Sequence, residues 1–212
     1  MHYHDLTRMI EPAMPVYPDT EPPRFRVGAS IEKQGFLEHE IVMFTHTGTH
    51  MDAPAHLIAG GKTLDEYSVD AFVGPACVVD ARGVDDGTIG IELLRPYRKH
   101  IETADFVLLD TGWHSQWDLP GYFEEFPTLT PEAAQWLVDL DVKGVGVDAI
   151  SVDPVGVSEM RVHDVLLGAG VLIIENLADL DELIGKSFEF SCYPLRFAHA
   201  DGSPVRAVAA IG

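Results

Sequence analysis

Three histidines and one aspartate stand within a segment of eleven residues, and their side chains are of the types that bind divalent metals. They are His46, His50, Asp52 and His56. All four occupy even positions, so an extended backbone would project them to one side. Neutral imidazoles and a carboxylate suit a borderline cation such as Zn²⁺, and an aspartate with two oxygens can bridge a pair of metals. The segment therefore predicts a metal centre.

Two backbone conformations would bring these side chains together. A helix would pair His46 with His50 at a spacing of four residues, as in zinc proteases. Gly48, Pro54 and the three threonines of residues 45–49 disfavour that helix. We therefore expect an extended chain followed by a turn. The alternative to a metal centre is a histidine-rich surface loop whose side chains are solvated or hydrogen-bonded.

Two later residues can complete a set of ligands. His163 lies in a predicted helix, and Glu175 closes the strongly apolar predicted strand 171–175. A helix followed by a strand brings both side chains to one end of a sheet. Taken alone, His163 is typical of a packed or capping histidine, whereas a carboxylate that ends a buried strand needs a partner.

Short runs rich in valine and isoleucine predict buried strands, and several of these runs end on a carboxylate. The strands are expected at residues 76–80, 106–110, 145–148 and 171–175. Helices are predicted at residues 130–140, where Thr130 caps the start and Pro131 follows, and at residues 158–167. Further strands are predicted at residues 24–31 and 38–45, with no helix between them, and at residues 188–193 and 205–211. The pattern predicts an α/β fold, with a mixed sheet and additional antiparallel strands, in a single domain over residues 1–212.

Composition limits the classes of partner. The chain has 34 acidic and 14 basic residues, a net charge of −20, which would repel a phosphate backbone and predicts no nucleic-acid partner. No apolar stretch approaches the roughly 18 residues of a membrane span, and no export signal is evident, so we expect a cytoplasmic protein without a membrane partner. The two cysteines, Cys77 and Cys192, lie in apolar surroundings and are expected to be buried free thiols.

The segment His46-Thr-Gly-Thr-His-Met-Asp-Ala-Pro-Ala-His56 resembles the signature of the cyclase family, which includes bacterial kynurenine formamidases and isatin hydrolases. The resemblance extends to Gly146-Val-Asp-Ala-Ile-Ser-Val-Asp-Pro154 and to the spacing of His163 and Glu175. The N-terminal Asp5-Leu-Thr and Pro15-Val-Tyr-Pro18 also fit. These segments span most of the chain.

The resemblance implies a fold, an assembly and a set of ligands. The fold would be a swivelling β/β/α domain, assembled as a homodimer or larger homo-oligomer. One metal would be bound by His46, His50 and Asp52. A second would be bound or approached by Asp52, His163 and Glu175. The family uses Zn²⁺ in formamidases and Mn²⁺ in isatin hydrolases, so Zn²⁺ is expected, with Mn²⁺ as the alternative, because these ligand types do not decide between them.

The expected chemistry is hydrolysis of an amide. The metal would lower the pKa of a bound water towards about 7 and polarise the substrate carbonyl. By the same resemblance, His56 would be the general acid and base, work that suits a side chain titrating near neutrality. Asp148 and Asp153 would either hydrogen-bond to the ligands from outside or cap turns. Ser151 is not expected to be a nucleophile, because nothing near it forms a nucleophile elbow.

Substrate choice depends on aromatic residues. Tyr17, in a proline-rich segment, stands where kynurenine formamidases carry a tryptophan, and it can still stack on an aromatic ring. Other aromatic candidates, each also typical of a core, are Phe36, Phe44, Trp113, Trp117, Tyr122 and Phe123, with the loop 113–123 favoured. We expect a small aromatic or cyclic amide. Arylformamidase activity on N-formylkynurenine comes first and isatin-type lactam hydrolysis second; a cyclase or dehydratase, or a metal-binding structural or regulatory protein, remains as an alternative.

Overall fold

Seven strands close into a barrel in the computed structural model, which describes residues 1–84 and 87–212. Strands inside and outside the barrel are numbered together along the chain. In the described residues they are β1 (His2–Asp5), β2 (Arg24–Ala29), β3 (Glu38–Val42), β4 (His50–Asp52), β5 (Val73–Asp80), β6 (Thr88–Ile89), β7 (Phe106–Asp110), β8 (Thr128–Leu129), β9 (Gly144–Val147), β10 (Leu172–Glu175), β11 (Phe188–Pro194) and β12 (Gly202–Ile211). The α-helices are α1 (Ile31–Gln34), α2 (Ile91–Leu94), α3 (Arg98–Ile101), α4 (Pro131–Val138) and α5 (Arg161–Gly168).

The barrel has strands of both directions. Its order is β12, β11, β5, β7, β9, β10 and β4, and β4 pairs again with β12 to close the ring. The run from β5 through β7 and β9 to β10 is parallel, and the remaining pairs are antiparallel. The predicted α/β fold with a mixed sheet and additional antiparallel strands is therefore confirmed, whereas the swivelling β/β/α arrangement stays a prediction.

Alternation along the strands divides the apolar residues between the inside and outside of the barrel. Leu108 and Ile174 belong to the interior cluster, whereas their neighbours Leu109 and Ile173 belong to the outer cluster that helices α4 and α5 cover. Glycine is required on β9, because a Cβ on Gly146 would lie 2.6 Å from Leu108 Cδ2. The outer face thus lies under a helical layer, and the alternation along β4 and β10 places His50, Asp52 and Glu175 on this face.

Two helix boundaries show how the termini are stabilised. Helix α4 begins as predicted, with the Thr130 hydroxyl accepting a hydrogen bond from the Ala133 amide at 3.0 Å. Helix α5 was predicted from residue 158 but begins at Arg161, because the Asp153 carboxylate accepts the amide N–H groups of Val162 and His163. A carboxylate eight residues before the helix therefore caps its first turn.

The N-terminal strands β2 and β3 form a separate antiparallel hairpin. The prediction that no helix lies between them is wrong: helix α1 makes one turn and ends at Gly35, whose φ is 82°. Four residues are too few for a periodic apolar pattern, and α1 buries none of them. Every described helix is too short or too polar to cross a lipid bilayer. Cys77 and Cys192 are buried free thiols, as predicted.

Candidate metal centre

Strand β4 places two of the predicted ligands on the outer face of the barrel. His50 and Asp52 flank Met51, which belongs to the interior cluster, so their side chains point the other way. Glu175, at the end of β10, is the direct cross-strand partner of His50. The pairing of β4 with β10 therefore brings together a histidine and a carboxylate that are 125 positions apart in the sequence.

The two remaining histidines of the motif reach the same place through turns. Within the motif only residues 50–52 form a strand. Before it, His46 lies in a turn and Gly48 takes a left-handed conformation with φ of 67°. His56 closes a single 3-10 turn, Pro54–His56. The ring centroids of His46 and His56 lie 4.0 Å apart. Convergence here results from turns on both sides of a short strand, whereas the sequence predicts an extended chain with a turn only after it.

Each of the five predicted ligands lies within 3.6 Å of at least one other. Asp52 Oδ1 is 2.7 Å from His46 Nδ1 and 3.3 Å from His50 Nε2. Glu175 lies 3.4 Å from His50 Nε2 and 3.5 Å from His163 Nε2, and Asp52 Oδ2 is 3.6 Å from His163 Nε2. Two sets of donor atoms, each within 4.8 Å, share Asp52: one contains His46 and His50, the other His163 and Glu175. We call these five residues the metal centre.

Hydrogen bonds from outside orient two of the imidazoles. His50 Nδ1 is 2.9 Å from the Gly48 carbonyl oxygen, and His163 Nδ1 is 2.7 Å from Asp153 Oδ2. Each Nδ1–H donates to its acceptor, which leaves Nε2 as the lone-pair nitrogen facing the centre. Asp153 thus fills both predicted roles: it hydrogen-bonds to a ligand and caps a helix.

The charges of the metal centre favour a cation. Asp52 and Glu175 are 1% and 5% exposed. Burial, together with the Asp52 carboxylate, raises the pKa of Glu175. Burial opposes ionisation of Asp52, but His46 and His50 hold its pKa well below the usual range. Asp52 Oδ2 is buried and has no hydrogen-bond partner, an arrangement that is costly unless a ligand satisfies it. The donors therefore fit one or two divalent cations.

The metal centre opens into a cavity of about 300 Å³. Beyond the ligands and His56, its lining consists of Tyr17, Thr20, Phe44, Thr45, Ile150, Ser151, Met160 and Asp201. Tyr17 therefore reaches the cavity, as the prediction of a substrate-binding role requires. His56 is partly exposed to the cavity, and burial lowers its pKa. A neutral imidazole that faces the cavity can accept a proton.

The other aromatic candidates for the cavity lining do not lie where the sequence predicts. Phe44 lines the cavity, whereas the favoured loop 113–123 does not. That loop folds on itself: Trp113 Nε1 donates to the Tyr122 carbonyl oxygen at 2.8 Å, and the Trp117 ring packs edge-on against Tyr122. Phe36 is 53% exposed on the hairpin. The loop is therefore part of the outer core.

Asp201, which sequence reasoning missed, contacts two histidines of the motif. Its Oδ2 lies 3.0 Å from His46 Nε2 and 3.7 Å from His56 Nδ1. It precedes β12, and its Asp-Gly sequence is a turn signal that carries no sign of a site. Only the pairing of β12 with β4 brings Asp201 to the motif.

A second group of similar residues lies nearby. Asp110, His114 and Asp148, which we call the turn cluster, also have donor atoms within 4.8 Å of one another. The Asp148 carboxylate accepts from the Thr111 amide and hydroxyl and from the amide and Nδ1 of His114. Arg82 Nε lies 3.5 Å from Asp110 Oδ2. Asp148 thus has the turn-capping role that was one of its two predicted alternatives.

Comparison with known proteins agrees with this geometry. Residues 4–154 match the family described as Putative cyclase. The chain is 34% identical over 209 residues to the kynurenine formamidase of Bacillus cereus, covering 96% of this chain and 95% of that protein. Isatin hydrolase A from Labrenzia aggregata, solved with benzyl benzoate, superposes with a TM-score of 0.89 at 27% identity, over 99% of this chain and 93% of that one. A potential metal-dependent hydrolase with cyclase activity superposes with a TM-score of 0.81 at 30% identity, over 98% and 96% of the two chains. This chain therefore belongs to the Putative cyclase family, as its motif predicts.

Proposed function

We propose that this protein is a metal-dependent hydrolase of a small aromatic amide, with Zn²⁺ as its cation and Mn²⁺ as the alternative. The observation that carries the proposal is the pair of donor sets that share Asp52, at the base of a cavity into which His56 also faces. His46, His50 and Asp52 would hold one cation, and Asp52, His163 and Glu175 a second. When bound, such a cation supplies a Lewis acid that polarises a carbonyl and makes water more acidic.

The chain's own residues supply proton transfer and orientation. His56 accepts a proton from the water that attacks the amide carbon, and it returns that proton to the nitrogen as the C–N bond breaks. The products are a carboxylic acid and an amine, so the reaction consumes one water. Tyr17 and Phe44 line the cavity and would stack on an aromatic substrate.

N-formylkynurenine is the first candidate substrate, because the curated relative is a kynurenine formamidase and the similarity covers 96% of this chain. One observation favours a second candidate, an isatin-type lactam. Among the described residues, no lysine or arginine lines the cavity, so no permanently charged side chain there pairs with the α-carboxylate that N-formylkynurenine carries. An uncharged cyclic amide would need no such partner.

Elemental mass spectrometry on protein purified without a metal-binding tag, with both substrates assayed on the same sample, tests this function. Near-stoichiometric Zn or Mn with turnover of N-formylkynurenine would support the arylformamidase. Turnover of isatin alone would support the lactam hydrolase. A protein that binds neither metal after reconstitution would overturn the proposal.

We also propose a homo-oligomer in the cytoplasm, folded as one domain over residues 1–212, without a nucleic-acid or membrane partner. The hairpin supports the oligomer, because it exposes Val27, Phe36 and Ile41 by more than half. The charge of −20 supports the absence of a nucleic-acid partner.

A further inference from the structure

Asp201 occupies a position from which one carboxylate oxygen reaches two functional histidines. Oδ2 is 3.0 Å from His46 Nε2, a hydrogen-bond distance, and 3.7 Å from His56 Nδ1. The other nitrogen of His46, Nδ1, faces Asp52 and the metal centre. The same carboxylate oxygen therefore lies beside the His46 nitrogen that faces away from Asp52 and beside Nδ1 of His56, the general acid and base.

Asp201 is held in place by two hydrogen bonds that do not involve the histidines. Its Oδ1 accepts a hydrogen bond from the Thr45 hydroxyl at 3.2 Å. Its carbonyl oxygen accepts the Ala53 amide at 2.8 Å, which joins it to the end of β4. The following residue must be glycine, because a Cβ on Gly202 would lie 2.5 Å from His46 Cε1. The backbone thus approaches the His46 ring closely and presents the carboxylate beside it.

We propose that Asp201 is a positioning residue that sets which ring nitrogen of His46 and of His56 is free. By accepting Nε2–H of His46, it leaves Nδ1 as the lone-pair donor towards the metal centre. By accepting Nδ1–H of His56, it leaves Nε2 to exchange the proton with the substrate. The 3.7 Å separation from His56 would shorten when substrate fills the cavity, since catalytic hydrogen bonds are often long in free enzymes. The His56 part of this inference rests on the proposed function.

Two substitutions separate positioning from a general structural role. Asp201→Ala removes the acceptor, so we expect Zn²⁺ affinity and kcat each to fall about 10- to 100-fold. Asp201→Asn keeps a carbonyl oxygen at the same place, and the Thr45 hydroxyl can accept from its amide, so we expect both quantities to stay within about fivefold of the wild type. Asp139→Asn, which removes an exposed carboxylate at the end of α4, is the matched control for lost charge.

Zn²⁺ affinity is measured first, by competition with a chromophoric chelator and without substrate. Unchanged affinity in Asp201→Ala would overturn the role towards His46, and unchanged kcat would overturn the role towards His56. If Asp201→Asn loses as much Zn²⁺ affinity and kcat as Asp201→Ala, an acceptor oxygen at this position does not orient the histidines, and the proposal is wrong. If Asp201→Ala fails to fold by near-ultraviolet circular dichroism, Asp201→Ser, whose hydroxyl is too short to reach His46, replaces it. A wild-type protein that binds Zn²⁺ but hydrolyses no amide would contradict the proposed function, while the affinity comparison would still decide the role towards His46.

Discussion

The metal centre and the turn cluster contain the same kinds of residue, yet their chemistry differs. Both lie at the ends of barrel strands, and both place histidine and carboxylate donors within 4.8 Å of one another. In the turn cluster, the Asp148 oxygens are occupied by hydrogen bonds from the turn that follows β7. In the metal centre, the imidazoles of His50 and His163 are held from outside, and Asp52 Oδ2 is left without a partner. Asp110 Oδ2 in the turn cluster also lacks a hydrogen-bond partner, but the charged Arg82 Nε lies 3.5 Å from it, whereas the neighbour of Asp52 Oδ2 is the His163 imidazole at 3.6 Å. The arginine and the turn amides that surround the donors, and not residue type, distinguish the turn cluster from the metal centre.

The largest expected contrast comes from one substitution in each group. Asp52→Asn removes the carboxylate shared by both donor sets, so we expect bound metal to be lost and kcat to fall by about a thousandfold or more. Asp148→Asn should leave metal content unchanged. Elemental analysis and turnover of both variants check this. Loss of metal from Asp148→Asn, with its fold intact, would erase the distinction between the two groups.

Substitution of His56 tests whether this residue belongs to the metal ligands. His56→Ala should keep the metal content of the wild type while kcat falls about 10²- to 10⁴-fold, because in the proposed function the residue transfers a proton and does not bind the metal. The same metal analysis and assay apply. If metal is lost as well, His56 is a ligand and its proposed role is wrong.

Removal of the metal should lower stability through the metal centre and not through the turn cluster. A cation present at about 100 times its Kd stabilises the native state by about 2.7 kcal/mol, so treatment with chelator should lower the Tm and added Zn²⁺ should restore it. Differential scanning calorimetry should show the same change in Asp148→Asn and none in Asp52→Asn. A Tm indifferent to chelator in the wild type would argue against a resident cation.

The smallest effect is expected from pH in the turn cluster. Burial, and then the charge of Asp148, raise the pKa of Asp110 from 3.8 to about 6, with His114 and Arg82 as its other charged neighbours. Because the pKa of Asp110 is higher in the folded state than in the unfolded state, the protonated carboxyl favours folding. This contribution to stability is complete below about pH 4 and is lost as the pH rises through about 6. Asp110→Asn should therefore be more stable than the wild type at pH 8, by roughly 1 kcal/mol, and should show no gain at pH 4; the whole pKa change sets an upper bound of about 3 kcal/mol. Urea denaturation at both pH values measures the difference, and an equal gain at both would exclude ionisation of Asp110 as its cause.

Much of the metal centre was predictable because its signals are local. The ligands of residues 46–56 lie within one motif, and the apolar runs that became β5, β7 and β10 show their periodicity over a few residues. The motif's backbone is predicted less well, since the sequence indicates an extended chain with a turn only after it, whereas another turn, followed by Gly48 with a φ of 67°, precedes the strand. The start of α5 was also misplaced, because its cap, Asp153, lies eight residues before the helix.

The sequence by itself determined the family, the residue types of the metal centre and the alternation that buries the barrel strands, because each depends on spacings of a few residues. Tertiary structure alone decided that Asp201 lies beside both His46 and His56, and that the Asp148 carboxylate is occupied by the turn that follows β7. The physical reason is that barrel closure pairs β4 with β10 and β12, strands far apart in the chain. Whether a buried carboxylate is satisfied by backbone amides or awaits a cation depends on those distant neighbours, which no local pattern encodes.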